Sequence, residues 1–371
     1  MPDLRLFLGG DLMPARGIDQ ILPHPGDPRL YESWVSDAND YVALAERRNG
    51  PIARAQDYRQ VWGVVPEVLA HQRPHIGLVN LETAITSRGQ PAPKGINYRM
   101  HPANLALLAA VRLDCCSLAN NHVLDWGEAG LSDTLAALDR LGIRHCGAGF
   151  DRAGAAAPAI LPVASGGRLL AFAYATPECG VPAEWAAGER SAGIARLDEL
   201  SPRSLARVAG HIRALKRPGD RVLVSLHWGG NWDFGVAPAQ IRFAHGLIDE
   251  AGVDLIHGHS SHHVKALEVY RGRLILYGCG GLLDDYEGID GYDSYRSDLG
   301  LLYFPTLGSD GRLHALSLYP TRQRQFSIQA AEGEDQAWLR ATLEREYAPF
   351  GCSLSPSAGG GWQLAWPDAG S

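Results

Sequence analysis

Short runs of consecutive apolar residues alternate along this chain with longer stretches whose apolar positions recur every three or four residues. The short runs predict strands, and the longer periodic stretches predict helices. The predicted strands cover residues 4–9, 76–81, 115–118, 169–174, 222–227, 254–257, 274–277 and 313–319. The predicted helices cover residues 61–71, 103–111, 131–141, 205–216, 241–251 and 334–347. Strands that alternate with helices in this way indicate an α/β layered fold.

The same pattern predicts how the chain is divided. Residues 1–330 contain the alternating strands and helices and are predicted to form one domain. Residues 19–58 are rich in Pro, Asp and Tyr with weak periodicity. They are predicted to form an insertion, which is either a lid or substrate-contacting segment or a plain surface excursion. Residues 331–371 are predicted to add a helix and a Gly- and Pro-rich tail, which we expect to be loosely packed.

Composition and charge restrict the classes of partner. With 371 residues, 46% of them hydrophobic, the chain can bury a large core without disulfides. The formal charge of -7, from 34 basic and 41 acidic side chains, provides no overall field that attracts nucleic acid or an anionic membrane. We therefore expect no nucleic-acid partner and no stable membrane anchor. The expected partner is a small-molecule or anionic substrate. The sequence leaves the oligomeric state open.

Targeting signals and the spacing of cysteines help to predict the cellular compartment of the protein. The N-terminus lacks a basic region followed by a long apolar segment, and no run approaches about 20 apolar residues. The six cysteines lack the Cys-x-x-Cys spacing of a zinc knuckle or a redox pair, so we predict reduced, buried thiols. A soluble protein of the cytoplasm is the expectation that follows.

Polar side chains of the metal-ligating types stand where the predicted strands end. They are Asp11, Glu82, Asn121 with His122, His227, and the histidines of residues 257–263. Because the carboxyl ends of strands in an open α/β sheet share one edge, these residues are predicted to converge. Taken singly, an Asp or Asn at a strand end is an ordinary turn former, and His227 is an ordinary core imidazole. Four imidazoles on one short Gly/Ser turn are hard to explain as core filling.

The chemistry of these side chains indicates a metal site. Carboxylate oxygen, amide oxygen and imidazole nitrogen together suit divalent Mn, Fe or Zn. Two ions are predicted, with Asp11 able to bridge metals about 3.5 to 4 Å apart. His122 is then available to protonate a leaving oxygen or to stabilise negative charge.

Several local motifs carry a resemblance to a known family. They are Gly10-Asp11-Leu12-Met13 with Arg16, Asn80-Leu81-Glu82-Thr83, residues 117–122 with Asp125 and Gly127, residues 147–149, residues 225–229 and residues 258–262. Over roughly residues 4–286, the sequence resembles the CapA-type (PGA_cap) family named for bacterial poly-γ-glutamate capsule synthesis. That family is similar to the calcineurin-like metallophosphoesterases.

The resemblance implies a fold and a set of roles. The fold is a four-layer αββα sandwich, in which two sheets are flanked by helices and the metals lie at strand ends. The implied metal ligands are Asp11, Glu82, Asn121, His227, His259 and His262. His122 matches the histidine that acts on the leaving group.

This sequence departs from the pattern in ways that concern the metals. Where the parent superfamily has Asp-x-His on the first strand, the third residue here is Met13, a poor ligand for a hard cation. One metal is then weakly held, or its missing ligand is supplied by His257 or another histidine. Glu82 stands where an Asp is usual, and Gly280-Gly281-Leu282 replaces Gly-Asn-Phe. These departures are typical of an outlying branch whose substrate does not follow from the family name.

Other residues are candidates for supporting roles. His257 and Asp125 are either metal ligands or supports for the ligands. Arg16 and Arg99 are candidates to hold an anionic group through a planar fork, and Trp228, beside His227, is a further substrate-binding candidate. Residues 277–288 form either a pocket wall or an ordinary Gly-rich loop.

Three functions remain as alternatives. The first is hydrolysis of a phosphate ester by metal-activated water, with His122 assisting the leaving group. The second is a non-hydrolytic part in the biosynthesis of poly-γ-glutamate or another anionic polymer or peptide. The third is metal-dependent amide hydrolysis or related chemistry on a small metabolite, since a fold does not determine its reaction.

Overall fold

The computed structural model describes residues 3–163, 166–357 and 359–367 of the chain. Its helices are α1 (Gly17–Ile21), α2 (Asn39–Asn49), α3 (Tyr58–Trp62), α4 (Val65–Gln72), α5 (Ala106–Ala109), α6 (Gly127–Leu141), α7 (Arg152–Ala156), α8 (Pro202–Leu215), α9 (Pro238–Ala251) and α10 (Gly333–Tyr347). The first ten strands are β1 (Leu4–Leu12), β2 (Ile76–Leu81), β3 (Ala84–Ile85), β4 (Arg99–Met100), β5 (Cys115–Ser117), β6 (Arg144–Cys146), β7 (Ala148–Gly149), β8 (Ala159–Pro162), β9 (Arg168–Ala175) and β10 (Gly193–Ile194). The next ten are β11 (Arg221–His227), β12 (Leu255–His259), β13 (Leu267–Tyr270), β14 (Arg273–Leu276), β15 (Gly281–Leu283), β16 (Leu299–Leu307), β17 (Leu313–Arg324), β18 (Ser327–Ala330), β19 (Ser353–Pro356) and β20 (Trp362–Ala365).

Two sheets form the centre of the molecule. The larger runs in the order β19-β20-β17-β16-β1-β2-β5-β6, with β15 beside β1 and β18 beside β17. The smaller runs in the order β13-β14-β12-β11-β9-β8. Strands β1, β2, β5 and β6 are parallel to one another, and so are β9, β11, β12 and β14. Each sheet therefore gathers several carboxyl ends of strands at one edge.

Side chains of the smaller sheet alternate between two cores. Leu169 and Leu223 belong to the core shared with the larger sheet, whereas Leu170 and Val222 belong to a second core beneath α8 and α9. Successive side chains of a strand point to opposite faces, so a sheet buried on both faces needs continuous apolar runs. Helices α4 and α6 contribute to the core of the larger sheet. The predicted four-layer αββα arrangement is confirmed.

The predicted strands are all present, but two predicted helices differ from the structure. Residues 103–111 form a 3₁₀ turn, Pro102–Asn104, followed by the short α5, and the other helix is divided in two. Residues 61–71 are shared between α3 and α4, which are separated at Gly63. Gly63 has a φ of 50°, and a Cβ placed there would lie 2.0 Å from the carbonyl oxygen of Ile328. The chain therefore turns at a position that only glycine accommodates. The close approach to Ile328 comes from β18, which is distant in sequence.

The insertion of residues 19–58 is a packed part of the fold. It carries α2, whose Tyr41, Val42 and Ala45 are buried. Its Glu32 accepts a hydrogen bond from Arg16 at 2.8 Å, which ties the insertion to the chain beyond β1. The division of the chain into residues 1–330 and 331–371 stays a prediction.

The C-terminal tail corrects our expectation from the sequence. Strands β19 and β20 form a hairpin, and β20 pairs with β17, with Trp362 opposite Leu318. Leu354, Trp362 and Leu364 are buried. The prediction of a loosely packed tail is therefore wrong for the described residues, because two short strands separated by Gly give too little periodicity to recognise. Residues 358 and 368–371 of that predicted tail lie outside the described part.

Two further predictions concern membranes and cysteines. None of the helices within the described ranges has the length and apolar character that crossing a bilayer requires. All six cysteines are free and buried, which confirms the predicted reduced thiols.

Replacement of Trp362 tests the packing of the tail. We expect Trp362→Ala to lower the free energy of unfolding by about 3 kcal/mol, because a large side chain is removed from a closed core. Phe150→Ala is the control, since the Phe150 side chain is 56% exposed. Denaturant unfolding of both variants provides the measurement. Equal, small effects would mean that the hairpin is only loosely attached.

Candidate metal centre

The ends of three strands from the two sheets meet at one buried point. Asp11 lies near the end of β1, and His227 and His259 end β11 and β12, where they are paired in register. One ligand atom from each of the three residues lies within 4.8 Å of the other two, and all three residues are buried. Nδ1 of His259 lies 2.8 Å from Nδ1 of His227 and 3.6 Å from Oδ1 of Asp11.

Glu82 and Asn121 extend this group from β2 and from the loop after β5. Oε1 of Glu82 lies 3.8 Å from Nε2 of His227, and Oδ1 of Asn121 lies 3.1 Å from the same nitrogen. The side-chain amide of Asn80 donates to Oδ1 of Asp11 at 2.7 Å and to Oε2 of Glu82 at 3.2 Å. Five of the predicted ligands are therefore brought together, and Asn80, which was not predicted, orients two of them.

The electrostatics of the group favour a bound cation. Burial raises the pKa of Asp11 to about 7, and burial together with the charge of Asp11 raises the pKa of Glu82 well above its ordinary value. Burial also holds the pKa values of His227 and His259 well below the usual range, so both imidazoles are neutral. A divalent cation would compensate the negative charge of two buried carboxylates that have only neutral imidazoles beside them. The oxygen and nitrogen donors of these side chains fit such an ion.

A chain of hydrogen bonds behind His259 determines its tautomer. The carbonyl oxygen of Gly9 can only accept, so Nε2 of His257, 2.8 Å away, donates to it. Nδ1 of His257 then accepts from the hydroxyl of Ser225 at 3.1 Å, and that hydroxyl oxygen accepts from Nε2 of His259 at 2.8 Å. Nδ1 of His259 is left with a lone pair that faces Asp11 and His227. Of the two roles considered for His257, the geometry favours that of a support.

His122 is held in one orientation at the edge of the group. Its Nδ1 lies 2.6 Å from Oδ2 of Asp125, and its ring stacks on Tyr98 with centroids 3.8 Å apart. Nζ of Lys94 lies 2.8 Å from the other oxygen of Asp125. Nε2 of His122 consequently points inward and lies 3.9 Å from Oε1 of Glu82. Burial lowers the pKa of His122 to about 4.

The group opens onto a cavity of about 830 Å³. Glu82, Asn121, His122 and His262 line it. The ring of His262 packs against Tyr286 with centroids 4.7 Å apart, and burial lowers its pKa to about 3. His262 therefore faces the same cavity as the other candidate ligands, although it is not among the three closest.

The segment of residues 277–288 forms part of the cavity wall. Asp284, Tyr286 and Glu287 line the cavity. The backbone N–H of Asp11 donates to the carbonyl oxygen of Gly280 at 3.0 Å, and a Cβ on Gly10 would lie 1.8 Å from that oxygen. Of the two interpretations from the sequence, this geometry favours the pocket wall.

Met13, at the position where the resemblance leads one to expect a histidine, is buried. Its sulfur accepts a hydrogen bond from the hydroxyl of Tyr286 at 3.4 Å. Met13 packs with Ala15 and Tyr98 in a small apolar cluster. This position contributes packing and no charged or imidazole donor.

All three predicted substrate-binding residues have contacts of another kind. Arg16 lines the cavity, but its guanidinium is buried against the carboxylates of Asp285 and Glu32. Arg99 covers the ring of Trp126 at 3.8 Å and lines a different, smaller cavity. Trp228 lies in the core beneath α8 and α9, where its Nε1 donates to the carbonyl oxygen of Tyr277 at 3.0 Å. The structure does not bring Arg99 or Trp228 to the metal group.

Two further residues of the site, Lys94 and Ser225, were not predicted from the sequence. Lys94 lies on a loop between β3 and β4 and carries no local signal. Ser225 precedes His227 by two residues, so the two share a face of β11. That spacing was a usable signal that a hydroxyl stands beside the histidines.

Comparisons with known proteins identify the family of this chain. The family model described as "Bacterial capsule synthesis protein PGA_cap" matches residues 5–286. A "Probable polyglutamine synthesis accessory protein" of Mycobacterium tuberculosis (strain ATCC 25618 / H37Rv) is 47% identical over 354 residues, covering 94% of this chain and 93% of that protein. The "PGA biosynthesis protein CapA" of Bacillus subtilis (strain 168) is 25% identical over 276 residues, covering 74% of this chain and 62% of its own length.

Among solved structures, a 5'-nucleotidase precursor from Thermus thermophilus aligns with a TM-score of 0.45 and 13% identity, covering 94% of this chain and 59% of that one. This overlap is too low to transfer any property of that enzyme. The sequence match, by contrast, extends over most of the chain and includes the motifs that supply Asp11, Glu82, Asn121, His227 and His259. The chain therefore belongs to the bacterial capsule synthesis protein (PGA_cap) family, as the resemblance in its sequence predicted.

Proposed function

We propose that this protein is a metal-dependent hydrolase that acts on a phosphate ester. The observation that carries the proposal is the buried group of Asp11, His227 and His259, with Asn121 and His122 beside it at the base of a cavity. Burying carboxylates and imidazoles at the floor of a cavity reduces the stability of the fold. Such groups are typical of reactive sites.

The proposed cofactors are divalent ions, two of them, drawn from Mn, Fe or Zn. The residues that would hold them are Asp11, Glu82, Asn121, His227, His259 and His262. Such ions supply Lewis-acid polarisation of a phosphoryl oxygen and lower the pKa of water.

His122 is the proposed proton donor to the leaving oxygen. Asp125 holds Nδ1, so Nε2 is the nitrogen that exchanges a proton with the substrate. The pKa of His122 is low because of burial, and an anionic ester bound beside the ring would raise it. Lys94, by holding Asp125 from the other side, keeps the carboxylate aligned with the ring.

The names of the relatives favour a second candidate function. Proteins described as accessory to polyglutamine synthesis and as a PGA biosynthesis protein match this chain over most of its length. In this alternative the cavity binds part of an anionic polymer or of its synthesis apparatus without hydrolysis. Metal-dependent hydrolysis of an amide would use the same ligands with a different substrate.

Removal of a candidate ligand tests the metal site. We expect His259→Ala to abolish divalent-metal binding, and Ser225→Ala to weaken it by about tenfold, because Ser225 orients His259. Titration calorimetry with Mn²⁺ and elemental analysis of the purified protein provide the measurements. His245→Ala is the control, since His245 is paired with Glu268. Unchanged binding by His259→Ala would contradict the site.

Replacement of His122 tests the reaction. We expect His122→Ala to retain its metal and to lose a hundredfold or more, about the usual contribution of a general acid, in the turnover of a phosphate monoester. A screen of phosphate release from several esters provides the measurement, with His245→Ala again as the control. Retained turnover would remove His122 from the mechanism.

The same measurements separate the candidate functions. Bound metal with phosphate release that depends on His122 supports the hydrolase. Bound metal without release from any ester favours amide or related chemistry. A protein that binds no metal favours the accessory role.

A further inference from the structure

We propose that the mouth of this cavity is a binding subsite for a planar aromatic group of a small phosphate ester, formed by Trp34, Ile96 and Tyr292. The inference deepens the proposed function and depends on it for the position of the phosphate. It assigns a substrate class that the family name does not suggest.

Exposed apolar side chains are concentrated at this cavity. Trp34, Ile96 and Tyr292 line it, and their side chains are 57%, 42% and 45% exposed. Large apolar side chains left in water without a covering partner commonly mark a ligand-binding surface. They come from three separate segments: the insertion, the loop before β4 and the loop after β15. The insertion therefore contributes a side chain to the cavity, as one interpretation of the sequence expected.

Contacts between aromatic rings connect Tyr292 to the candidate metal centre. The ring of Tyr292 stacks on Trp232 with centroids 4.0 Å apart and planes 5° apart. Trp232 in turn contacts the edge of His262 with centroids 4.9 Å apart. Tyr292 is thus supported on one face by Trp232 while much of its surface remains exposed. A flat group that enters the cavity meets this stack on its way to His262.

Trp34 is held in place by a contact within the insertion. Its ring meets the edge of Tyr41 with centroids 5.4 Å apart, and the hydroxyl of Tyr41 accepts from Arg16 at 2.8 Å. Arg16 is bound to Asp285, next to the cavity residues Asp284 and Tyr286. Trp34 is therefore anchored to the same wall segment that approaches the metal group.

The charges of the cavity argue against a polyanion as its occupant. Each cationic side chain that lines the cavity within the described residues has a carboxylate partner: Arg16 with Asp285 and Glu32, Arg48 with Asp293, Lys94 with Asp125, and Arg296 and Arg322 with Asp335. A chain of repeated carboxylates would find these charges already compensated. An aromatic group, by contrast, gains contact with exposed rings at no electrostatic cost.

Binding of two non-hydrolysable ligands tests the subsite without relying on turnover. Phenylphosphonate and methylphosphonate share the anionic group and differ in the aromatic ring. In calorimetric titrations of the Mn²⁺-loaded protein, we expect phenylphosphonate to bind about fivefold more tightly or better. The double variant Trp34→Ala with Tyr292→Ala is expected to lose that preference while its affinity for methylphosphonate stays unchanged.

Two control variants keep the result specific. Tyr292→Phe retains the ring and is expected to retain the preference. Phe150→Ala removes an exposed aromatic ring that does not line the cavity and is also expected to retain it.

The outcomes distinguish the subsite from the proposed function. Equal affinities for the two phosphonates in the unaltered protein, or a preference that survives in the double variant, overturn the subsite. A preference for phenylphosphonate without turnover of phenyl phosphate leaves the subsite standing and rejects the hydrolase. Absence of binding by either phosphonate overturns both.

Discussion

The burial of two carboxyl groups at the junction of two sheets is the constraint on which the rest of this structure depends. Asp11 and Glu82 are buried beside imidazoles that burial keeps neutral, and the pKa values of both carboxyl groups are raised as a result. Burying an ionised carboxylate costs free energy, and either a bound cation or an added proton compensates that cost. The surrounding fold must therefore be stable enough to hold the group in place, and the shared apolar core between the sheets provides that stability.

The hydrogen bonds behind the ligands serve the same requirement. Gly9 belongs to the larger sheet, whereas His257, Ser225 and His259 belong to the smaller one, so the chain that orients His259 crosses between the sheets. A shift of one sheet relative to the other would break this chain and change which nitrogen of His259 carries the proton. Packing of the sheets and the chemistry of the site are consequently coupled through a serine and a backbone carbonyl group.

The cavity next to this group has paired charges and exposed apolar side chains, which the family name does not suggest. Its guanidinium and ammonium groups are matched by carboxylates, and its exposed surface includes Trp34, Ile96 and Tyr292. In the proposed function the base of the cavity holds an anionic group beside a cation, and in the proposed subsite its mouth holds an apolar group. A small ester with two unlike ends fits these two proposals better than a uniform polymer does.

Local patterns in the amino-acid sequence were enough to establish the strands, the common edge of the site and the family. Continuous apolar runs identified strands that are buried on both faces, and the position of Asp11, Glu82 and His227 at the ends of such runs identified a common edge, because parallel strands end together. Motifs around these residues were sufficient to recognise the family. Features that depend on partners distant in the chain could be read only from the folded molecule. Arg16 could be assigned to Asp285 rather than to a substrate, and the β19–β20 hairpin to the larger sheet, only once those contacts were visible. The tautomer of His259 and the arrangement of exposed rings at the cavity mouth also depend on residues distant in the chain. Only folding brings those residues together.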